Sequence, residues 1–265
     1  MNKLKAGDYM ACYDLTAMTW EEVKEALQTV TFAIIPIGAH EQHGPHMVES
    51  CDAVLADRMA KRLGERMYPY ALVSPTINMG VSQHHLNFPG TISLQPTTLI
   101  AILRDMITSL KHHGVEKFLL LNSHGGNQST LNVASLMLSD ELNVEVYYAK
   151  TTASAKNAIG SLVESKLFGH SCEREVSEAL YLAPELVRKD KIVKGAIQEE
   201  GRWKQLRPGK AIQGFYAYEE MTKNGCIGDA TNASLEIGEQ IVEEALDNLA
   251  KELYTLLNIE VDVYN

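Results

Sequence analysis

Four short apolar runs limit what this chain can become. Thr31 to Ile37, Ala71 to Ser74, Lys117 to Leu121 and Val144 to Ala149 each have the length of a buried strand, and helical patterns lie between them. Strand, polar loop and helix alternate three times, the mark of βαβ units and a parallel sheet. Crossovers in such a sheet are expected to be right-handed. The expected fold class is α/β with a mostly parallel central sheet.

The helices between the strands are marked by their ends. Thr19 and Glu22 have the spacing of a capping box, which predicts a helix to about Leu27. Asp52 is a natural N-cap for a second helix, with Val54, Leu55, Met59 and Leu63 at helical spacing. Pro96 suits the first position of a third, which Leu99, Ile102, Leu103, Met106 and Leu110 carry to Gly114. A fourth follows Asn127 and runs to about Leu142. Past the last strand the pattern loosens. Glu173 to Leu182 reads as a helix stopped before Pro184, and residues 189–218 read as a surface excursion, an oligomer contact or a lid. A final helix from about Asn232 to Leu257 carries a stripe of Leu235, Val242, Leu246, Leu249, Leu253 and Leu256. With no repeat and no linker, one domain over 1–265 is expected.

The chemistry-bearing residues gather in loops. After Ile37 come Glu41, His43 and, at the next helix start, Asp52. Glu41 and His43 stand at i and i+2, so an extended segment sends both side chains to the same side. Imidazole with carboxylate suits zinc, manganese or iron(II) and does not choose among them. A polar surface loop with a capping aspartate is the plain alternative. Two further histidine-bearing loops, one with His84 and His85 and one with His124, also leave the carboxyl ends of predicted strands. Open α/β sheets collect their sites at those ends. The three loops are therefore expected to converge, and convergence favours a metal. His40 and His46 read as loop structure, and His112 and His113 as complements to a helix dipole.

Composition excludes several classes. The 265 residues, 45% of them apolar, suffice for a sizeable core, and no apolar run is long enough for a bilayer. A formal charge of −10 argues against broad nucleic-acid or anionic-membrane binding. The four cysteines are scattered without a CxxC, as in reduced cytoplasmic proteins. Cys51 and Cys172 have no neighbouring base to make a nucleophile. The start lacks an apolar signal region, so a cytoplasmic location is expected.

Several stretches, taken in order, resemble the creatininase (creatinine amidohydrolase) family. They are Glu41-Gln42-His43-Gly44-Pro45-His46, then Asp52, then Phe88-Pro89-Gly90-Thr91, then Asn122-Ser123-His124-Gly125-Gly126-Asn127. His170 with Glu173-Arg174-Glu175-Val176-Ser177 is similar to the family's HAGxxETS stretch, departing at Ser171, Cys172 and Val176. Gly225 to Asp229 is similar to its late G-x-x-GD turn.

The resemblance implies a three-layer α/β/α hydrolase with two divalent ions bridged by an aspartate, zinc or manganese with iron also compatible. Carried over by position, Glu41, Asp52 and His124 would hold one ion, and His43 with the shared Asp52 the second. Creatininase proper has a glutamate two residues after the histidine that His124 matches. Here that position is Gly126, as in HGGN-type members, and Glu175 is expected to supply the missing carboxylate. A weak second site, or one completed by water, is the alternative. His170 matches the family's catalytic histidine and is expected to act as general acid/base, with Glu175 beside it in the catalytic set. Two such cations lower the pKa of a shared water from about 15.7 toward ~7.

The expected activity is hydrolysis of a cyclic amide, or of an amide or formamide, in a small polar molecule. Creatinine itself is not expected, because Trp20 and Trp203 match neither of the family's site-closing tryptophans. HGGN-type members include pyrimidine deformylases and a hydrolase that breaks a carbon–carbon bond of a cyclic diketone in inositol breakdown. Another member type trims a peptide during cofactor maturation, which leaves a maturation partner as the non-enzymatic alternative. The family also implies a homo-oligomer, often a hexamer.

Overall fold

The computed structural model describes residues 11–207 and 209–259. Five parallel strands form one sheet in the order β1-β3-β2-β4-β5. They are β1 (Tyr13–Asp14), β2 (Phe32–Ile37), β3 (Ala71–Val73), β4 (Lys117–Asn122) and β5 (Glu145–Lys150). β2 is buried along its whole length. Its alternate side chains serve two layers. Phe32 and Ile34 pack with α2 (Cys51–Arg66), α5 (Lys156–Leu162) and α8 (Leu235–Leu256). Ala33, Ile35 and Ile37 face α3 (Pro96–His112) and α4 (Gln128–Leu142) on the other side. The architecture is three-layer α/β/α, as expected. A strand buried on both faces must be apolar without alternation, which is how β2 and β4 read.

Local signals hold well in the first half. α1 (Trp20–Ala26) starts at Thr19 with the complete capping box. Pro96 opens α3, and α6 (Glu173–Leu182) has the expected bounds. The differences are instructive. Asp52 does not cap α2. Ser50 occupies that position, and Asp52 is the second residue of the helix, which frees its carboxylate to turn toward the loops. β1 and α5 were not expected. β1 has two residues, too few for a pattern, and is defined by pairing Tyr13 with Leu72 and Asp14 with Val73.

Leu235 and Leu256 are about half exposed, outside the buried stripe. They occupy the first and last positions of α8, where neighbouring elements no longer cover it. Residues 189–218 are not wholly a surface excursion. They contain the short helix α7 (Trp203–Leu206), and Trp203 and Tyr218 are buried against Met221 and Ile227.

From β2 the chain first moves to β3 on one side, then to β4 on the other. The loops leaving β2 and β4 therefore diverge and open a crevice at the carboxyl edge of the sheet.

Candidate metal centre

Close packing sets the crevice floor. A Cβ at Gly38 would lie 2.4 Å from Ala53 Cα, so only glycine lets the end of β2 rest against the first turn of α2. That contact brings Asp52 over the sheet edge. The Ser123 hydroxyl donates to Asp52 O at 2.6 Å and ties the β4 loop to the same turn. Asn127 fastens the three loops together. Its amide donates to Gly38 O and to Asn122 Oδ1, each at 3.0 Å, and its oxygen accepts from Val81 N–H at 2.8 Å. The HGGN stretch is thus a structural clasp as well as the carrier of His124.

Above this floor the expected residues meet. Asp52 Oδ1 is 3.5 Å from His43 Nε2, and Asp52 Oδ2 is 3.2 Å from His124 Nδ1. Glu41 Oε1 lies 3.3 Å from His124 Nδ1 and 3.6 Å from His170 Nδ1. Glu175 joins His43 and Asp52, their donor atoms all within 4.8 Å of one another. The six expected site residues thus fall into overlapping buried clusters, Glu41-His43-His170 and His43-Asp52-Glu175, with His124 against Glu41 and Asp52.

His84 joins them too, with an atom within 4.8 Å of Glu41 and His124. His84 and His85 read from sequence as pocket wall, and nothing in an isolated HH pair separates a wall residue from a ligand. Gln42 and Tyr218 were missed altogether. Gln42 gives no signal as a lone glutamine inside a motif, and Tyr218 approaches from far along the chain.

Hydrogen bonds assign the histidine tautomers. His43 Nδ1–H donates to Glu41 O at 3.0 Å, His124 Nε2–H to Val81 O at 3.0 Å and His170 Nε2–H to Gln42 O at 2.7 Å. When neutral, each ring then turns an unprotonated nitrogen toward the carboxylates, the arrangement that fixes metal-binding imidazoles. His85 differs. Gln42 Oε1 accepts from Gly44 N–H at 2.8 Å, so its amide nitrogen donates to Gly225 O at 3.1 Å and to His85 Nδ1 at 2.9 Å. His85 therefore keeps its proton on Nε2, which faces Glu41 Oε1 at 3.4 Å. Through Gly225, the late glycine turn braces the centre from behind.

The donor set fits a cation. Glu41 Oε1 and Oε2, Asp52 Oδ2 and His43 Nε2 are buried without a hydrogen-bond partner, although imidazole and carboxylate stand 3.2–3.6 Å apart. Such orphaned polar atoms are costly unless something positive lies between them. Ligand atoms about 2.0–2.1 Å from a tetrahedral metal are separated by about 3.4 Å, close to these spacings.

Electrostatics agree. Burial alone would lower the His43 pKa, but Asp52 outweighs it and holds it at about 10. Burial likewise opposes charge on His124, and Glu41 with Asp52 drives it well above its ordinary value. Glu41 and Asp52 are pulled down despite burial, chiefly by His124 and by His43 respectively. Protons stand where a cation would. Burial raises Glu175 to about 7, with His43 and Arg174 opposing. Burial and the charge on His43 push His170 down to about 3. The Cys51 and Cys172 thiols are raised by burial, Cys172 to about 11, which fits neither as a nucleophile.

A cavity of about 610 Å³ opens over the group, with Phe215, Tyr216 and Tyr218 along one wall. The Tyr218 ring lies 4.0 Å from His85 and 5.1 Å from His170, centroid to centroid.

Known proteins place this geometry. The family model described as creatininase, creatinine amidohydrolase, matches residues 16–253. A mycofactocin precursor peptide peptidase of Mycolicibacterium smegmatis is 27% identical over 225 residues, 83% of each chain. A 3-dehydro-scyllo-inosose hydrolase of Thermotoga maritima is 28% identical over 258 residues, covering 88% of this chain and 80% of that one. A solved manganese form of creatininase superposes with a TM-score of 0.77 at 26% identity, covering 93% of this chain and 99% of its own. The matched span contains every member of the buried acid–imidazole group, and the chain belongs to the creatininase family of metal-dependent hydrolases.

Proposed function

We propose that this protein hydrolyses a carbon–nitrogen bond of a small polar metabolite, opening a cyclic amide or cleaving an amide or formamide. One observation carries the reading: four buried donor atoms of Glu41, Asp52 and His43 lack hydrogen-bond partners and belong to overlapping acid–imidazole triads. Glu41, Asp52 and His124 would hold one divalent cation, and His43, Asp52 and Glu175 the second. Asp52 would be the residue shared by both, since its two oxygens address His43 and His124 separately. Zinc, manganese and iron(II) all suit this mixed nitrogen and oxygen set. When bound, the cations supply an activated water and polarise a carbonyl.

The chain's own residues then do the rest. His170 is fixed by its bond to Gln42 O, so Nδ1 is the atom that takes a proton and returns it to the leaving nitrogen. His85 keeps Nε2–H as a donor toward Glu41 and the space beside it. Gly125 brings bare backbone to the cavity wall, and Tyr218 closes the histidine side against water. A small substrate suits the cavity volume of about 610 Å³.

The test is metal content with turnover. The purified protein should carry about two divalent ions per chain, and zinc or manganese should stimulate hydrolysis of at least one cyclic amide or formamide. Fewer than one ion per chain and no metal-stimulated turnover would sink the reading. A second reading, carbon–carbon hydrolysis of a cyclic diketone, is supported by the likeness to the Thermotoga maritima hydrolase over 88% of this chain. It begins with the same addition to a carbonyl, and turnover of a cyclic 1,3-diketone with no amide turnover would select it. Peptide trimming would show instead as release of terminal residues from a peptide. The protein acts as a homo-oligomer, and a hexamer is the state to look for by light scattering. Among the described residues no helix is long and apolar enough to cross a membrane. A cytoplasmic location fits the reduced, scattered cysteines.

A further inference from the structure

We infer that the substrate carries a carboxylate-class anionic group, held beside the metal centre by Lys150 with Arg174 behind it. The inference rests on the hydrolase reading above and narrows its substrate. A second cavity of about 280 Å³ adjoins the first and shares His124, Lys150, Gly169 and Glu175 with it. Thr151, Thr152 and Arg174 line its far side. Lys150 ends β5 in register with Asn122, the residue from which the His124 loop departs. Lys150 thus belongs to the lining of both cavities.

The local charges leave Lys150 uncompensated. Arg174 is offset by Glu178, whose Oε1 lies 3.4 Å from Arg174 Nε and accepts from the Thr152 hydroxyl at 2.9 Å. Glu175, 3.6 Å from Arg174, belongs to the cation-facing group. Lys150 is exposed and, like most lysines here, enters no ion pair among the described residues, but it is the lysine that lines both cavities. An unpaired lysine in that position is suited to an anion brought by the ligand. Phe215, Tyr216 and Tyr218 line the larger cavity and not the smaller one, and offer aromatic surface there. A substrate with its scissile carbonyl at the centre therefore points its charge toward β5 and its ring or apolar part toward the aromatics.

Dihydroorotate and dihydrouracil test this, being one cyclic amide with and without a carboxylate. Binding of each to the metal-reconstituted protein is measured by calorimetry, for the wild type, Lys150→Met and Lys150→Arg. Dihydroorotate should bind roughly tenfold to a hundredfold tighter, the size of a charge-assisted contact. Lys150→Met should erase most of that difference, and Lys150→Arg should retain it. Equal affinities, including no measurable binding of either ring, overturn the inference. So does a preference that survives Lys150→Met, since the cations themselves then hold the carboxylate. Turnover is read separately. A Lys150-dependent preference without hydrolysis of any amide counts against the hydrolase reading and leaves the anion subsite standing.

Discussion

Asp52 Oδ2 lies 3.2 Å from His124 Nδ1 and still has no hydrogen-bond partner. The imidazole commits its other nitrogen to Val81 O, so the nitrogen facing Asp52 has a lone pair rather than a proton unless the ring is charged. Two acceptors facing each other in a buried space require a proton or a cation between them. The following expectations derive from that requirement.

Asp52→Ala should cost both cations, because this carboxylate serves both groups of ligands. His170→Ala should leave the metal content intact and lower kcat by roughly 10²–10⁴, the range for loss of a general acid/base. Elemental analysis beside steady-state kinetics decides. Equal metal loss in the two variants would remove His170 from the role of proton carrier.

Glu175→Ala should leave about one cation per chain where the wild type holds about two. Glu41 and His124 do not depend on Glu175, whereas His43 shares its group with it. An unchanged metal count would show that the second cation, if bound, is completed by water.

Gly126→Glu should not restore the ligand set of creatininase proper. A Cβ there would lie 2.3 Å from His124 Nε2 and from Val81 O, so the loop must move. Even Gly126→Ala should destabilise by about 1–3 kcal/mol, the usual cost of overpacking. Calorimetric melting of both variants checks this, and a wild-type melting temperature would count against so tight a clasp.

Metal binding should weaken as pH falls and should release protons. The folded pKa of His43, about 10, lies above its unfolded value near 6.5. In metal-free protein its stabilising contribution is therefore full below about 6.5 and is lost as pH rises through about 10. Glu175, raised to about 7, acts in the same direction between its unfolded value of about 4.3 and 7. The melting temperature of chelator-treated protein should thus fall with pH, and its gap to the metal-loaded form should widen. A gap that narrows between pH 6 and 9 would contradict this.

Asn127→Ala should destabilise by about 2–4 kcal/mol, because it removes three buried hydrogen bonds and leaves Gly38 O and Val81 N–H unpaired. Metal content should fall with it, since the clasp joins all three ligand-bearing loops. Denaturant unfolding and elemental analysis measure the two effects. Asn127→Asp, which sets a buried carboxylate oxygen against the acceptors Gly38 O and Asn122 Oδ1, should lose at least as much stability as alanine.

The sequence by itself determined the layered frame. Buried strands must be apolar on both faces and helices on one, so β2 and β4 read as continuous apolar runs and α3 as a helical stripe, and Thr19 and Pro96 mark helix starts through local backbone chemistry. The local sequence pattern also drew attention to Glu41, His43, Asp52 and His124, and the resemblance to the creatininase family added His170 and Glu175, because the motifs that carry it are short and contiguous. Tertiary structure alone decided what depends on approach between distant segments. It set Asp52 in the second turn position rather than the cap, brought Tyr218 against His85, and fixed the His85 proton through Gln42 and Gly225. It also left Lys150 unpaired in the lining of two cavities. Those are matters of distance between side chains far apart along the chain, and periodicity and local propensity encode only neighbours.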